Sequence, residues 1–404
     1  MNIIQTLRHR AELQPGVPAI VDRTFFGDRI LTYAALNRSV DFLALRLDEE
    51  GINKGDQVLM LLDPSQELYL FLLALLQIGA VPTLCDALTG LKPFGQWVEQ
   101  CRPAACVLPQ SKWLAQRFHR QLRLIPKKLF PHAFRFENRI LRIGKFGTPV
   151  ELAKTDLAFI ELRRGGFGEL EARGWTQLQL ARSVQRLVSY LKMKAGEIDL
   201  CDWPLLLLAN ATAGVTSVVP VRPGLLSQRS RSQQVEKFQP ARVTAPAAFL
   251  LHYLRKSSSP LHKIFVIDAP LPPESVEFFV RCQQFANVEL LFGHDVPLAG
   301  CSLNEYQSVG TARWVGEFFA DVKIRIEPRS SDSNGHVGPV NATSVNTRTG
   351  ELLIAGDFLP RPLDLNGDID VSRLAQFEND EQWIKTGFEG CLEPDKKFRL
   401  AGEE

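Results

Sequence analysis

The sequence predicts an α/β protein: two helix-flanked, mainly parallel sheets plus a small β-barrel-like portion. Three observations carry that expectation. Residues 1–110 and 155–300 each alternate short apolar strand patterns with stretches of helical spacing, the order that lays helices over a parallel sheet. Residues 310–404 instead hold short β-rich pieces separated by turn residues, which suits a small barrel or distorted sheet. The length of 404 residues exceeds one ordinary domain, and 45% hydrophobic with 23% charged residues supplies globular cores.

In the first segment, Ala19–Asp22 and Ile30–Tyr33 read as short strands around a turn. Leu36, Val40, Leu43 and Leu47 give Tyr33–Glu49 the spacing of a helix, and Gln57–Leu62 is a continuous apolar strand. The most apolar run, Leu68–Leu84, is interrupted by Gly79 and Pro82, so it predicts a buried helix followed by a buried strand rather than a membrane span. A helix over Pro93–Cys101 and a strand at Cys106–Leu108 follow. In the second segment, strands are expected at Asp156–Leu162, Trp203–Leu208, Ser217–Val221, Arg242–Ala245, Lys263–Ile267 and Val288–Phe292. Helices are expected at Thr176–Lys194, Ala247–Arg255 and Pro273–Phe285. Strands at Val322–Ile326, Gly335–Val337 and Glu351–Ala355 complete the third part. The organisation reads as sub-domains 1–150, 151–309 and 310–404.

Between the first two segments, residues 112–148 hold ten lysines and arginines and one acid, Glu137, with Trp113, Phe118, Leu124, Phe130 and Phe134 interleaved. That composition fits either a solvated basic excursion or a surface that touches anionic lipid at the membrane periphery. A net charge of only +2 gives no global field and no argument for nucleic acid. The N-terminus, MNIIQTLRHRAEL, has no apolar signal core, and the seven cysteines (85, 101, 106, 201, 282, 301, 391) are scattered. Both features predict reduced thiols and a cytoplasmic protein. The seven histidines show no metal-ligand spacing, and no G-x-S-x-G occurs.

The order of segments carries a family resemblance. Leu31–Asp86, with Thr32-Tyr33 before a helix, Gly51 and Lys54-Gly55-Asp56 before a strand, and Gly79-Ala80-Val81-Pro82 after the next helix, resembles the opening of acyl-CoA synthetases in the adenylate-forming, AMP-binding family. Asp202–Pro220 is similar to a segment of olefin-pathway β-lactone synthetases and fatty-acid CoA ligases. Lys263–Phe279, Val315–Ile326 and Gly350–Asp357 also resemble family segments. The resemblance implies attack of a carboxylate on the α-phosphate of ATP, with magnesium, to give an acyl-adenylate. Such chemistry needs a phosphate cradle, a metal-binding carboxylate, a ribose-binding carboxylate and a lysine, because charge builds up on phosphoryl oxygens.

Carried over position by position, the resemblance places the cradle in Asp156–Trp175. Gly165 and Gly168 fall on its glycines, while Arg163, Arg164, Gly166 and Phe167 stand at hydroxyl positions. Glu171 stands where the lysine belongs, a charge reversal of about 4 kcal/mol per contact at 4 Å and an effective dielectric near 20. Arg163 and Arg164 are read either as a new anion site or as salt-bridged surface residues. The adenine-side turn is Leu291–Ala299: Phe292-Gly293 keeps the aromatic–glycine pair, the carboxylate position becomes Val296 or is deleted according to where a gap falls, and Asp295 either reaches a metal or shapes the loop. The ribose-side turn keeps Thr386-Gly387 and puts Phe388 in place of the aspartate. The family's lysine-bearing C-terminal domain is expected to be absent, since the sequence ends at Glu404.

The expectation is therefore a pseudo-ligase with no assigned catalytic residue, no metal site and no certain ATP or magnesium requirement. It would bind a fatty acyl ligand or a lipid-pathway enzyme. Ala209, Asn210, Thr212, Gly214 and Val215 would line an acyl pocket or simply pack the core. The competing expectation is an active ATP-dependent ligase with an altered nucleotide site or a C-terminal domain supplied by another chain.

Overall fold

The computed structural model describes residues 2–24, 27–85, 91–109, 120–131, 150–164, 170–201, 203–221, 228–254, 261–267, 271, 273–293, 296–308, 314–327, 348–364, 368–376, 382–392 and 397–400. In chain order the elements begin α1 (Ile3–Leu13), β1 (Pro18–Thr24), β2 (Gly27–Thr32), α2 (Tyr33–Glu49), β3 (Gln57–Met60), α3 (Gln66–Ile78) and β4 (Val81–Cys85). Next come α4 (Leu91–Cys101), β5 (Ala105–Val107), α5 (Arg120–Leu124), β6 (Lys127–Leu129), β7 (Leu157–Arg164), β8 (Leu170–Thr176), α6 (Gln177–Tyr190), β9 (Ile198–Cys201), α7 (Pro204–Ala213) and β10 (Thr216–Val218). Then follow α8 (Gln228–Phe238), β11 (Arg242–Pro246), α9 (Ala247–Leu254), β12 (Lys263–Ile267), α10 (Pro273–Cys282), β13 (Asn287–Phe292), β14 (Ala299–Ser302) and α11 (Leu303–Ser308). The last are β15 (Trp314–Phe318), β16 (Lys323–Glu327), β17 (Arg348–Ala355), β18 (Arg361–Leu363), β19 (Leu374–Gln376), β20 (Gln382–Leu392) and β21 (Lys397–Leu400). They divide into two compact units, Met1–Leu226 with Pro360–Asp370, and Ser227–Leu359 with Val371–Glu404.

The first unit contains a seven-stranded sheet in the order β18-β8-β7-β4-β3-β5-β6. Its central pairs are parallel, and β7, β8 and β18 close one side as an antiparallel set. Strands of the same unit also run β9-β10-β1-β2, parallel except for the β1–β2 hairpin. Both sheets draw strands from either side of residue 150. The apolar run splits as its glycine and proline require: Ser65 caps α3, Gly79 ends it, and β4 follows. Every residue from Leu68 to Gln77 is buried, as expected for a helix apolar on all sides. Thr32 caps α2 through its side chain, and the buried Tyr33 hydroxyl donates to the Val215 carbonyl at 2.9 Å.

Two sequence expectations are corrected here. Trp203–Leu208 is not a strand. Pro204 sits in the first turn of α7, where its fixed φ suits a helix start, and the Leu205–Leu208 run is buried on all sides, so it carries no period that tells strand from helix. The expected helix to Lys194 ends at Tyr190; at its start, Thr176 and Gln179 form a reciprocal capping box.

In the second unit the order is β16-β17-β20-β21-β15-β14-β13-β12-β11, with β19 on β20. Strands β11, β12 and β13 are parallel, and from β13 onward the pairs are antiparallel. The β-rich stretch after residue 310 thus joins the parallel strands through β15 and β14. The expected strand Gly335–Val337 lies outside the described residues. No helix among the described residues is long and apolar enough to cross a membrane.

Candidate functional site

The sequence places its nucleotide-site candidates in both units, and each set has its own geometry. In the first unit, β7 and β8 form a hairpin whose register sets Arg163 opposite Glu171 and Glu161 opposite Arg173. Alternation puts these four charges on one face and Ile160, Leu162 and Ala172 on the other, in the core with Trp97 and Val98. Arg163 donates to one oxygen of Glu171 through Nε at 3.0 Å and Nη2 at 2.8 Å. Arg173, 4% exposed, approaches the same oxygen at 3.5 Å. The Arg163 and Glu171 side chains are 21% and 11% exposed. An ion pair so nearly withdrawn from water is screened little, and removing one partner leaves the other desolvated.

Glu171 therefore answers two arginines of its own hairpin. Of the two sequence readings for Arg163, the geometry favours the salt bridge. The side chain of Arg164, and Gly165, Gly166, Phe167 and Gly168, lie outside the described residues.

In the second unit, β13 ends on Phe292, 1% exposed, and Gly293 follows with φ 127°. A Cβ there would stand 2.4 Å from the Val296 carbonyl oxygen, so this turn needs glycine. Val296, at the expected carboxylate position, is 1% exposed and apolar. His294 and Asp295 lie outside the described residues.

The strand β20 carries an irregularity opposite β17. Glu351 pairs with Glu389 but Leu353 pairs with Lys385, so Thr386-Gly387-Phe388 bulge against Leu352. Three contacts hold the bulge. Thr386 Oγ1 donates to the Leu352 carbonyl at 2.7 Å and accepts from Phe388 N–H at 3.1 Å. Gly387, with φ 74°, donates its N–H to the Glu351 carboxylate at 3.1 Å. So shaped, the bulge brings the Phe388 ring to the Phe292 ring, centroids 5.0 Å apart and tilted by 54°. The structure thus brings together Phe292-Gly293 and Thr386-Gly387-Phe388, which the sequence could only set side by side through a resemblance. Glu351, which holds the bulge, had no sequence signal. The Glu161–Arg173 pair had one: the alternation Glu161-x-Arg163 against Glu171-x-Arg173.

The candidate acyl-pocket residues lie in the interior of the first unit. Ala209, Asn210 and Thr212 are on α7, Gly214 is its C-cap, and Val215 follows; the four non-glycine residues are at most 3% exposed. Asn210 donates to Asp199 at 3.0 Å and Ser217 at 3.1 Å. The carbonyls of Thr212 and Gly214 accept from Arg10 and Gln14 of the α1 end, and that of Val215 from Tyr33. Backbone carbonyls at the end of α7 thus tie it to α1 and α2, while the Asn210 amide ties it to β9 and β10.

Burial pushes the thiols of Cys101, Cys106 and Cys301 up to about 12 and that of Cys282 to about 11; nearby Asp364 and Asp368 add to the effect at Cys101. None of these four offers a thiolate near neutral pH. Among the described residues, no group of three or more His, Cys, Asp or Glu side chains could hold a metal ion.

Comparison with known proteins places this geometry. Residues 7–160 match the sequence model of the AMP-binding enzyme family. The chain is 27% identical over 268 residues to an olefin beta-lactone synthetase of Xanthomonas campestris pv. campestris, covering 62% of this chain and 47% of that protein. The match thus spans about half the length of that relative. Among solved structures, the N-terminal domain of FACL13 from Mycobacterium tuberculosis superposes over 100% of both chains, with a TM-score of 0.79 at 16% identity. O-succinylbenzoate coenzyme A synthetase from Bacillus subtilis superposes over 99% of this chain and 79% of that one, with a TM-score of 0.77 at 16% identity.

Proposed function

We propose, for a chain that belongs by fold with the N-terminal domains of the adenylate-forming enzymes, that it works as a pseudo-ligase: a scaffold that binds and does not activate carboxylates. The observation that carries this reading is the contact of Phe388 on Phe292. A phenyl ring has no acceptor for ribose hydroxyls, and here it is held against the aromatic ring expected to face adenine. The Glu171 pairs with Arg163 and Arg173 support the same reading at the phosphate side, where a carboxylate opposes a triphosphate and its partner cations are already engaged. Among the described residues, Glu171 at the lysine position, Val296 at the metal-carboxylate position and Phe388 at the ribose-carboxylate position do not suit ATP with magnesium.

In this reading the retained function is binding: a fatty acyl ligand, or an enzyme of lipid metabolism that the scaffold regulates. Ala209, Asn210, Thr212, Gly214 and Val215 enter it as packing that joins α7 to α1 and α2, not as the wall of an acyl pocket.

Thermal unfolding tests the proposal. A ligand that binds only the folded state stabilises it by about 2.7 kcal/mol at a hundredfold excess over Kd, and so raises Tm. Medium- or long-chain fatty acids should raise Tm, whereas ATP with magnesium, AMP and non-hydrolysable acyl-adenylate analogues should leave it unchanged. A Tm raised by ATP and magnesium, or pyrophosphate exchange dependent on an added acid, would return the chain to the active ligases.

A further inference from the structure

We propose that β18, with the Asp368–Asp370 segment bonded back to it, is a clip that leaves the edge of the seven-stranded sheet and rejoins it as one body while the rest of the first unit stays folded. The chain visits that unit briefly here. It enters at Pro360 and leaves at Asp370, and Leu359 and Val371 on either side belong to the second unit. Strand β18 stands at one end of the sheet and pairs antiparallel with β8 over Arg361–Leu363, opposite Gly174, Arg173 and Ala172. On its other side β8 is joined to β7 along the length of both strands. A ladder of three residues is short enough to open alone, whereas the β7–β8 ladder is not.

The clip is closed by its own hydrogen bonds. Asp364 N–H donates to the Asp368 carbonyl at 2.7 Å, and Asp370 N–H to the Pro362 carbonyl at 2.9 Å. Asp368 N–H donates to Asp364 Oδ1 at 3.0 Å, and Leu363 is bridged to Ile369. None of these bonds involves β8, so none is lost when the clip departs. Its described fastenings to the sheet are the short ladder, in which Pro362 has no N–H to give, and the Leu363 side chain. That side chain lies over Gly174, where a Cβ would stand 2.8 Å from Leu363 Cδ1, and it packs against the core that holds Trp97. Ile369, its bridge partner, is 36% exposed. Closed, the clip keeps β8 from presenting a bare strand edge beside the Arg163–Glu171 pair; open, it uncovers that edge without unfolding the hairpin.

Hydrogen exchange of the full chain, followed by mass spectrometry at several low urea concentrations, tests the clip. Opening it alone exposes little surface, so exchange in β18 and in the β8 amides it covers should be nearly independent of urea. It should also be roughly a hundredfold faster than exchange in β3 and β4, which should rise steeply with urea. Leu363→Ala removes the anchor and should quicken clip exchange about tenfold, still without a urea dependence. Gly174→Ala, which displaces the Leu363 side chain, should act in the same direction and less. A single urea dependence shared by β18, β8 and β4 would overturn the proposal, because the segment would then open only with the whole unit. Clip exchange left unchanged by Leu363→Ala would overturn it too.

Discussion

The β7–β8 hairpin of the first unit and the Phe292–Phe388 corner of the second hold their own side chains in place by opposite means. The hairpin sets charge against charge, two arginines on one glutamate oxygen. The corner uses no charge between its rings; it bends β20 with a bulge and lays one ring against another. Ionic closure is directional and fails when one partner is lost, whereas apolar closure depends on area and shape. The two regions should therefore answer differently to the same insults.

The largest expected effect is at the corner. Phe292→Ala removes a ring that is 1% exposed and should cost about 3–5 kcal/mol, read as a lower denaturation midpoint. Phe388→Ala, at a half-buried ring, should cost less, and a double-mutant cycle between the two should return about 0.5–1.5 kcal/mol of coupling. A coupling near zero would mean that the rings touch without supporting one another.

Next comes the hairpin. Glu171→Ala removes the carboxylate that Arg163 and Arg173 share and should cost about 2–3 kcal/mol, below the range for a fully buried pair because Arg163 keeps some solvent. Replacing Glu171 and Arg163 together by Leu should recover most of that loss, which would separate the burial of charge from the pairing itself. At the bulge, Gly387→Ala forces a side chain to φ 74° in open space and should cost about 1–2 kcal/mol in urea unfolding, with little change in m.

The smallest effect is the response to acid, carried in the first unit by Arg29. Burial acts to raise the Glu67 carboxyl, but the hydrogen bond and charge of Arg29 outweigh it and hold the group below its ordinary value. A depressed carboxylate stabilises the fold above its unfolded value of 4.5 and loses that contribution as pH falls through its folded value. Asp22, on the same arginine, is raised by burial, so its contribution runs the other way and is lost as pH rises from 3.8 through its folded value. Glu67→Gln should therefore flatten the acid limb of a stability–pH curve, and Asp22→Asn should steepen it. An unchanged curve in both variants would place the acid response elsewhere.

Legibility in the sequence followed the range of each interaction. Helix α2 was readable to its ends because its apolar spacing and Thr32 cap are local. The Leu68–Leu84 run divided correctly because Gly79 and Pro82 are local breakers. Strand β8 was hidden, since its residues were matched to a phosphate loop and its pairing depends on β7. Helix α7 was misread because four successive leucines carry no period. Sheet membership was not readable at all: β7 joins β4 and β1 joins β10 across long stretches of chain, and only the fold decides that. For the candidate site, the substitutions were visible at Glu171, Val296 and Phe388. What replaces the missing interactions was not, because Phe388 meets Phe292 only through a bulge set by Thr386 and Glu351.

We propose that side chains of this chain take up the positions that would bind nucleotide in the adenylate-forming fold. Isothermal titration of the wild-type chain with ATP in the presence of magnesium tests it most directly. No saturable heat is expected up to millimolar nucleotide. A saturable, magnesium-dependent isotherm with micromolar Kd would contradict it.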